Sequence, residues 1–154
     1  KMLFANPQRI DYYDRYQEII DAYNAEQNRA TIEKTFMDLM ELASLLDTEQ
    51  QRYVREGFSS DEELSVYDLL FSENLTKQEI ETIKKVSVDL LTKIKQQIAK
   101  LDHWTDKQET KAIVDNLIRN TLWQELPNSY DVSDIQTYQK KIYEYVYMRY
   151  PEVA

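Results

Sequence analysis

The sequence predicts an all-α protein, a single domain of about six amphipathic helices packed mostly antiparallel, and three observations carry that reading. Only one glycine and three prolines interrupt 154 residues. Apolar residues recur at three- and four-residue steps, the spacing of one helix face. No segment shows sustained period-two alternation bounded by turn residues, the mark of a half-buried strand.

The elements follow in order. The first opens at Asn6-Pro7, where a proline's missing N–H costs a helix nothing; Ile10, Tyr13, Tyr16, Ile20 and Tyr23 form its face as far as about Arg29. The second starts near Thr31 with Ile32, Phe36, Leu39, Met40, Ala43 and Leu46. It continues through Tyr53 and Val54 to Gly57, where a left-handed cap is easy. The third begins at Ser60, with Glu63 three residues on as its capping-box partner, and presents Leu64, Tyr67, Leu70 and Phe71. The fourth repeats the device with Thr76 and Glu79, ahead of Ile80, Ile83, Ser87, Leu90, Leu91, Ile94, Ile98 and Leu101. A third box, Thr105 with Gln108, precedes Ile113, Leu117, Leu122 and Leu126, and Pro127 ends that helix. The sixth starts around Ser133, carries Ile135, Tyr138, Ile142, Tyr145 and Val146, and stops before Pro151. Connections are short apart from residues 127–133, so neighbouring helices are expected to pack antiparallel. Residues 1–6 read as a linker, and the opening at Lys1 rather than Met reads as the C-terminal part of a longer subunit.

Composition excludes most familiar active sites. There is no cysteine, hence no disulfide, thiolate nucleophile or Cys-based zinc site, which fits a reducing cytoplasm. One glycine cannot build a glycine-rich phosphate loop. A single histidine, His103, rules out a two-His metal set. No basic-then-apolar signal segment is present, and the uncharged run from Met2 to Gln8 is far short of a membrane span. The net charge of −9 falls entirely in the first half. Residues 1–75 hold seven basic against sixteen acidic side chains, whereas residues 76–154 hold twelve of each. Overall acidity argues against wholesale coating of nucleic acid, and the neutral second half leaves room for a local basic surface.

Each candidate for chemistry has a plainer reading beside it. Asp102 or Asp106 followed by Glu109-Thr110-Lys111 has the composition of a metal-dependent nuclease site. Such sites need the two carboxylates on adjacent strands, and acidic residues at a helix start simply favour the helix dipole. Asp61-Glu62-Glu63 could meet a metal or a basic partner, and it too occupies a helix N-terminus. His103 beside Trp104 lacks a nucleophile or second base and reads as a loop residue. Tyr143, Tyr145, Tyr147 and Tyr150 could stack on unpaired bases, but helical spacing distributes them around the helix as amphipathic packing.

The fourth helix carries the charge pattern best suited to phosphate. From Lys84 to Lys100 there are five lysines and one acid, Asp89. At ~100° per residue Lys77, Lys84 and Lys95 align along one flank of the apolar face, with Lys85, Lys93 and Lys100 toward the other. These six are the candidate DNA-backbone contacts, since neutralising phosphates needs only such point charges. Solvated lysines bordering a core have the same pattern.

Several strings, taken in order and spacing, resemble the C-terminal helical domain of the motor (R) subunit of type I restriction-modification enzymes. They are Tyr23-Asn24 with Arg29, Glu41-Leu42-Ala43, and Arg55-Glu56-Gly57 running into Glu62-Glu63-Leu64-Ser65-Val66-Tyr67-Asp68. Asp102 with Trp104, Glu109 with Lys111-Ala112, and Leu117-Ile118-Arg119 ahead of Leu126-Pro127 follow. Together they span about residues 20–127, and Glu-Glu-Leu-x-x-Tyr-Asp is the most specific. The chain departs from the family at Ser65-Val66, where Ala-Phe is usual, at the inserted His103, and at Gln108-Glu109, with basic positions thinned. The resemblance implies a cytoplasmic parent subunit whose nuclease and ATP- and Mg²⁺-using motor sites lie upstream, with no cofactor in this part. It further implies that this domain is non-catalytic, docks the motor onto the methyltransferase and specificity subunits, and helps guide double-stranded DNA along its backbone. A stand-alone helical protein-interaction module without a DNA role, and a helical enzyme with an unrecognised site, are the alternatives.

Overall fold

Scarcity of helix breakers translates directly into the architecture. The computed structural model describes residue 6 and residues 9–152, and among these are seven α-helices, one 3₁₀ turn and no strand. The helices are α1 (Ile10–Ala25), α2 (Arg29–Gln50), the single turn α3 (Arg52–Arg55), α4 (Asp61–Leu70), α5 (Lys77–Ala99), α6 (Gln108–Glu125) and α7 (Val132–Arg149); the 3₁₀ turn is Trp104–Asp106. The expected helix start at Pro7 and the linker 1–6, Asn6 apart, lie outside the described residues. None of the helices is long and apolar enough to cross a membrane.

Local chemistry sets most of the boundaries, with corrections to the sequence reading. The first helix stops at Ala25 rather than near Arg29, because Asn28 caps the next one: its side chain accepts from the Thr31 N–H at 2.9 Å. The expected continuous second helix breaks at Gln51 and resumes as α3, and Gly57, at φ 86°, closes the segment. At Ser60 the box is displaced by one residue. Ser60 Oγ accepts from the Glu63 N–H at 3.3 Å, but the Glu63 carboxylate reaches the N–H of Ser59, at 2.8 Å. Thr76 and Glu79 form the reciprocal box as expected. Thr105 caps nothing: it sits in the 3₁₀ turn, and α6 begins at Gln108 without a side-chain cap. A box not expected from sequence, Asp131 with Asp134, starts α7.

The residues fall into two compact units, 1–65 and 66–154, with the division inside α4. In the first unit α1 packs on α2, and a connection of three residues makes the pair an antiparallel hairpin. The base of the hairpin is held by charge. Arg9, 1% exposed, donates through Nε to Glu49 Oε1 at 2.8 Å and through Nη1 and Nη2 to both Asp61 oxygens at 3.0 and 2.6 Å. Arg52 closes on Glu49 from the other side at 2.9 Å. Burial alone would raise the Glu49 carboxyl, but the hydrogen bonds from Arg52 and Arg9 outweigh it and hold it below its ordinary value.

In the second unit α5 packs on α6 and α6 on α7, with short links that make both pairs antiparallel. Ile83, Val86, Leu90, Leu91, Ile94 and Ile98 of α5 are all buried, facing a core that includes Val114, Ile118 and Leu122 of α6 and Ile142 and Val146 of α7. Trp104 completes it. Its side chain is fully buried, Nε1 donates to the Tyr150 carbonyl at 2.8 Å, and Tyr143 and Tyr147 meet its ring edge-on.

Candidate functional site

The lysine-bearing helix α5 is positioned by its cap and its buried stripe. Thr76 Oγ1 accepts from the Glu79 N–H and Glu79 Oε1 from the Thr76 N–H, both at 3.1 Å. Ser129 also donates to the Glu79 carboxylate, and these bonds, Ser129 first, hold it below its ordinary pKa. The stripe from Ile83 to Ile98 turns one side of α5 into the core and leaves its lysines at the margins or beyond.

The structure places the six candidates in three different environments. Lys84 and Lys95, on the flank predicted to be one line, each lie over a tyrosine ring. The Lys84 ammonium is 5.9 Å from the Tyr67 centroid, and that of Lys95 is 5.5 Å from Tyr150. Lys77, Lys85 and Lys100 are exposed. Lys93 stands apart, between two carboxylates: Asp89 Oδ2 at 2.9 Å and Glu125 Oε2 at 3.1 Å. Its hydrogen bonds to Asp89 and Glu125 raise its pKa, so it is a cation already compensated within the fold. Burial, then the neighbouring Asp89, pushes the Glu125 carboxyl up, whereas hydrogen bonds from Glu125 and Lys93 draw Asp89 down. The Asp89–Lys93 step of four residues was legible in sequence; Glu125, on the next helix, was not.

The other sequence candidates are dispersed or absorbed. Asp106 lies in the 3₁₀ turn and Glu109 in the first turn of α6, and among the described residues no three His, Asp or Glu side chains are grouped as metal ligands. Asp61 has a basic partner within the chain, the buried Arg9. His103 occupies a turn with left-handed backbone, φ 49°, and lies 3.4 Å from both Asp102 and Glu152. Tyr145 and Tyr150 are buried, Tyr143 is half-buried and Tyr147 is partly exposed, the distribution expected of amphipathic packing.

Two features escaped sequence reasoning. Arg9 carried no local signal, because its partners lie 40 and 52 residues away. The second is a groove of about 360 Å³ between α1 and α2, lined by Arg15, Glu18, Ile19, Asp38, Glu41, Leu42 and Leu45. It gathers carboxylates and one guanidinium but neither a histidine nor a hydroxyl nucleophile.

Helical packing with a lysine-edged α5 defines the class, an all-α domain. The chain belongs to the family described as type I restriction enzyme HindI endonuclease subunit-like, C-terminal, which it matches over residues 5–150. No curated protein and no solved structure matches it.

Proposed function

We propose that this domain is the assembly and DNA-guiding part of the subunit: it joins the motor to the methyltransferase and specificity subunits in the cytoplasm and steadies double-stranded DNA by its backbone. Family membership supports the setting. The observation that carries the DNA contact is the line Lys77, Lys84 and Lys95 on one flank of α5, with Lys85 and Lys100 exposed toward the other. Over eighteen residues a helix advances about 27 Å, enough to touch phosphates at several points along a duplex. Lys93 contributes least, being matched by Asp89 and Glu125.

On this reading ATP and Mg²⁺ serve other parts of the parent subunit. Gly57 stands in a turn and has no second glycine to form a phosphate loop with. No carboxylate trio is gathered among the described residues.

Duplex DNA binding by the chain, measured across a salt series, tests the guiding role. Weak affinity that falls with salt, and falls by about tenfold or more when Lys84, Lys85 and Lys95 become Glu, is expected. Absence of binding in wild type, or equal binding by the triple variant, refutes the contact and favours an adaptor without a DNA role. Deleting these residues from the full subunit should weaken its association with the methyltransferase core while its ATPase activity survives. Undiminished association refutes the assembly role.

A further inference from the structure

The α1–α2 hairpin leaves exposed the side that its sequence marks as apolar. No residue of α1 is buried, and α2 buries only Leu42 and Glu49. Tyr12, Ile19, Ile20 and Tyr23 on α1 and Leu39, Leu42 and Leu46 on α2 are the less exposed apolar side chains and mark the line along which the helices meet. By contrast Ile10, Tyr13 and Tyr16 on α1 and Ile32, Phe36 and Met40 on α2 are exposed, Phe36 at 64%.

These six share one side. At ~100° per residue each set is centred about 100° round its helix from the contact line, turned in the same sense along the chain. In an antiparallel pair, equal rotations of that kind bring both stripes to the same side of the hairpin. The acidic groove lined by Arg15, Glu18, Asp38 and Glu41 is displaced in the opposite sense, and so lies on the other side. The buried Arg9, bonded to Glu49 at the end of α2, holds the base of the hairpin in register, so the apolar face is preformed. Aromatic and methionine side chains exposed along one side are the composition of an interface core.

Charge selects the occupant. By the same rotations Asp14 and Asp21 fall at the outer edge of the α1 stripe and Glu33 and Asp47 beside that of α2, while Arg29, the basic side chain on this side, is paired with Glu33. A second copy would bring the same negative rim against this one, and DNA would be repelled. We propose that this face docks a basic amphipathic helix of a partner protein, one with apolar residues at four- and three-residue steps and Lys or Arg along both flanks. Its apolar anchors would lie along Ile32, Phe36 and Met40, which span about 12 Å of helix, with its cations over the acidic rim. The proposal rests on the assembly reading and gives that role a surface and a partner chemistry.

The probe is a synthetic helical peptide with leucines at such spacing and lysines on its flanks, beside a version with every lysine changed to glutamate. The lysine peptide should bind the chain about tenfold or more tightly than the glutamate peptide. The double variant Phe36→Ser/Met40→Ser, which alters no charge and only exposed side chains, should weaken it by a further tenfold or so with unchanged helical circular dichroism. Equal binding of both peptides, binding indifferent to the double substitution, or no binding overturns the proposal. So does sedimentation showing a wild-type dimer that the double variant loses, which assigns the face to a second copy. In the full subunit, association with the methyltransferase core that is lost on deletion but kept in Phe36→Ser/Met40→Ser removes this surface and leaves the assembly reading. Association untouched by deletion removes the assembly reading, and the peptide measurements then decide the face by themselves.

Discussion

Arg9 shows how much one side chain can carry when it is buried with its partners. Its guanidinium satisfies Glu49 and Asp61 together, and replacing it would leave the nearly buried Glu49 with Arg52 alone. Arg9→Met is expected to cost about 3–5 kcal/mol in denaturant unfolding, the range for breaking one side of a buried pair. Glu49 adds a pH dependence. Its carboxyl is held below its ordinary value of 4.5, so its stabilisation is present above that pH and is lost as pH falls through the lower folded value. Acid unfolding profiles should show Glu49→Gln losing less stability below about pH 4.5 than wild type. Ser87 makes the opposite case. It is fully buried, yet its hydroxyl only back-bonds to the Ile83 carbonyl one turn earlier, at 2.7 Å. Ser87→Ala should change stability by less than about 1 kcal/mol, because that carbonyl keeps its helical bond. A larger loss would mean that the hydroxyl has a further role.

Helices α2, α4, α5 and α7 begin where a side chain takes up a free backbone N–H, and elements end where the backbone can turn. Gly57 has open space around its Cα, so Gly57→Ala should cost about 1 kcal/mol through the positive φ alone. Thermal melting of the variant checks this; an unchanged midpoint would show that the turn relaxes. The Thr76 box was readable because it lies wholly within four residues. Thr105 has equivalent sequence credentials and fails, since burial of Trp104 against the Tyr150 carbonyl holds that stretch as a 3₁₀ turn. A partner 46 residues away overrode the local preference.

The whole molecule divides unevenly in how firmly its helices are held. The hairpin α1–α2 is covered on few sides, whereas α5 buries seven residues and α6 four. Amide hydrogen exchange is therefore expected to be faster by orders of magnitude in α1 than in the middle of α5, as local opening exposes little new apolar surface in the hairpin. Comparable protection in the two would contradict the surface drawn for the docking face. Charge divides the same way, with the acidic excess confined to residues 1–75 and balance beyond.

Residue order by itself determined the helical class, the buried line from Ile83 to Ile98, the Thr76 cap and the exclusion of phosphate loops and cysteine chemistry. Each is a property of neighbours within a turn or two, or of composition, and needs no knowledge of what packs against what. The family strings were equally legible, and the match over residues 5–150 agrees with them. Tertiary structure alone decided which side of α2 is covered: Ile32, Phe36 and Met40 read as core but face outward, and Leu42 is buried instead. It also decided that Lys93 is matched by Glu125, that Trp104 anchors a core, and that Arg9 ties the hairpin base. Periodicity fixes the side of a helix on which apolar residues fall, but only a neighbour distant in sequence determines whether that side is covered.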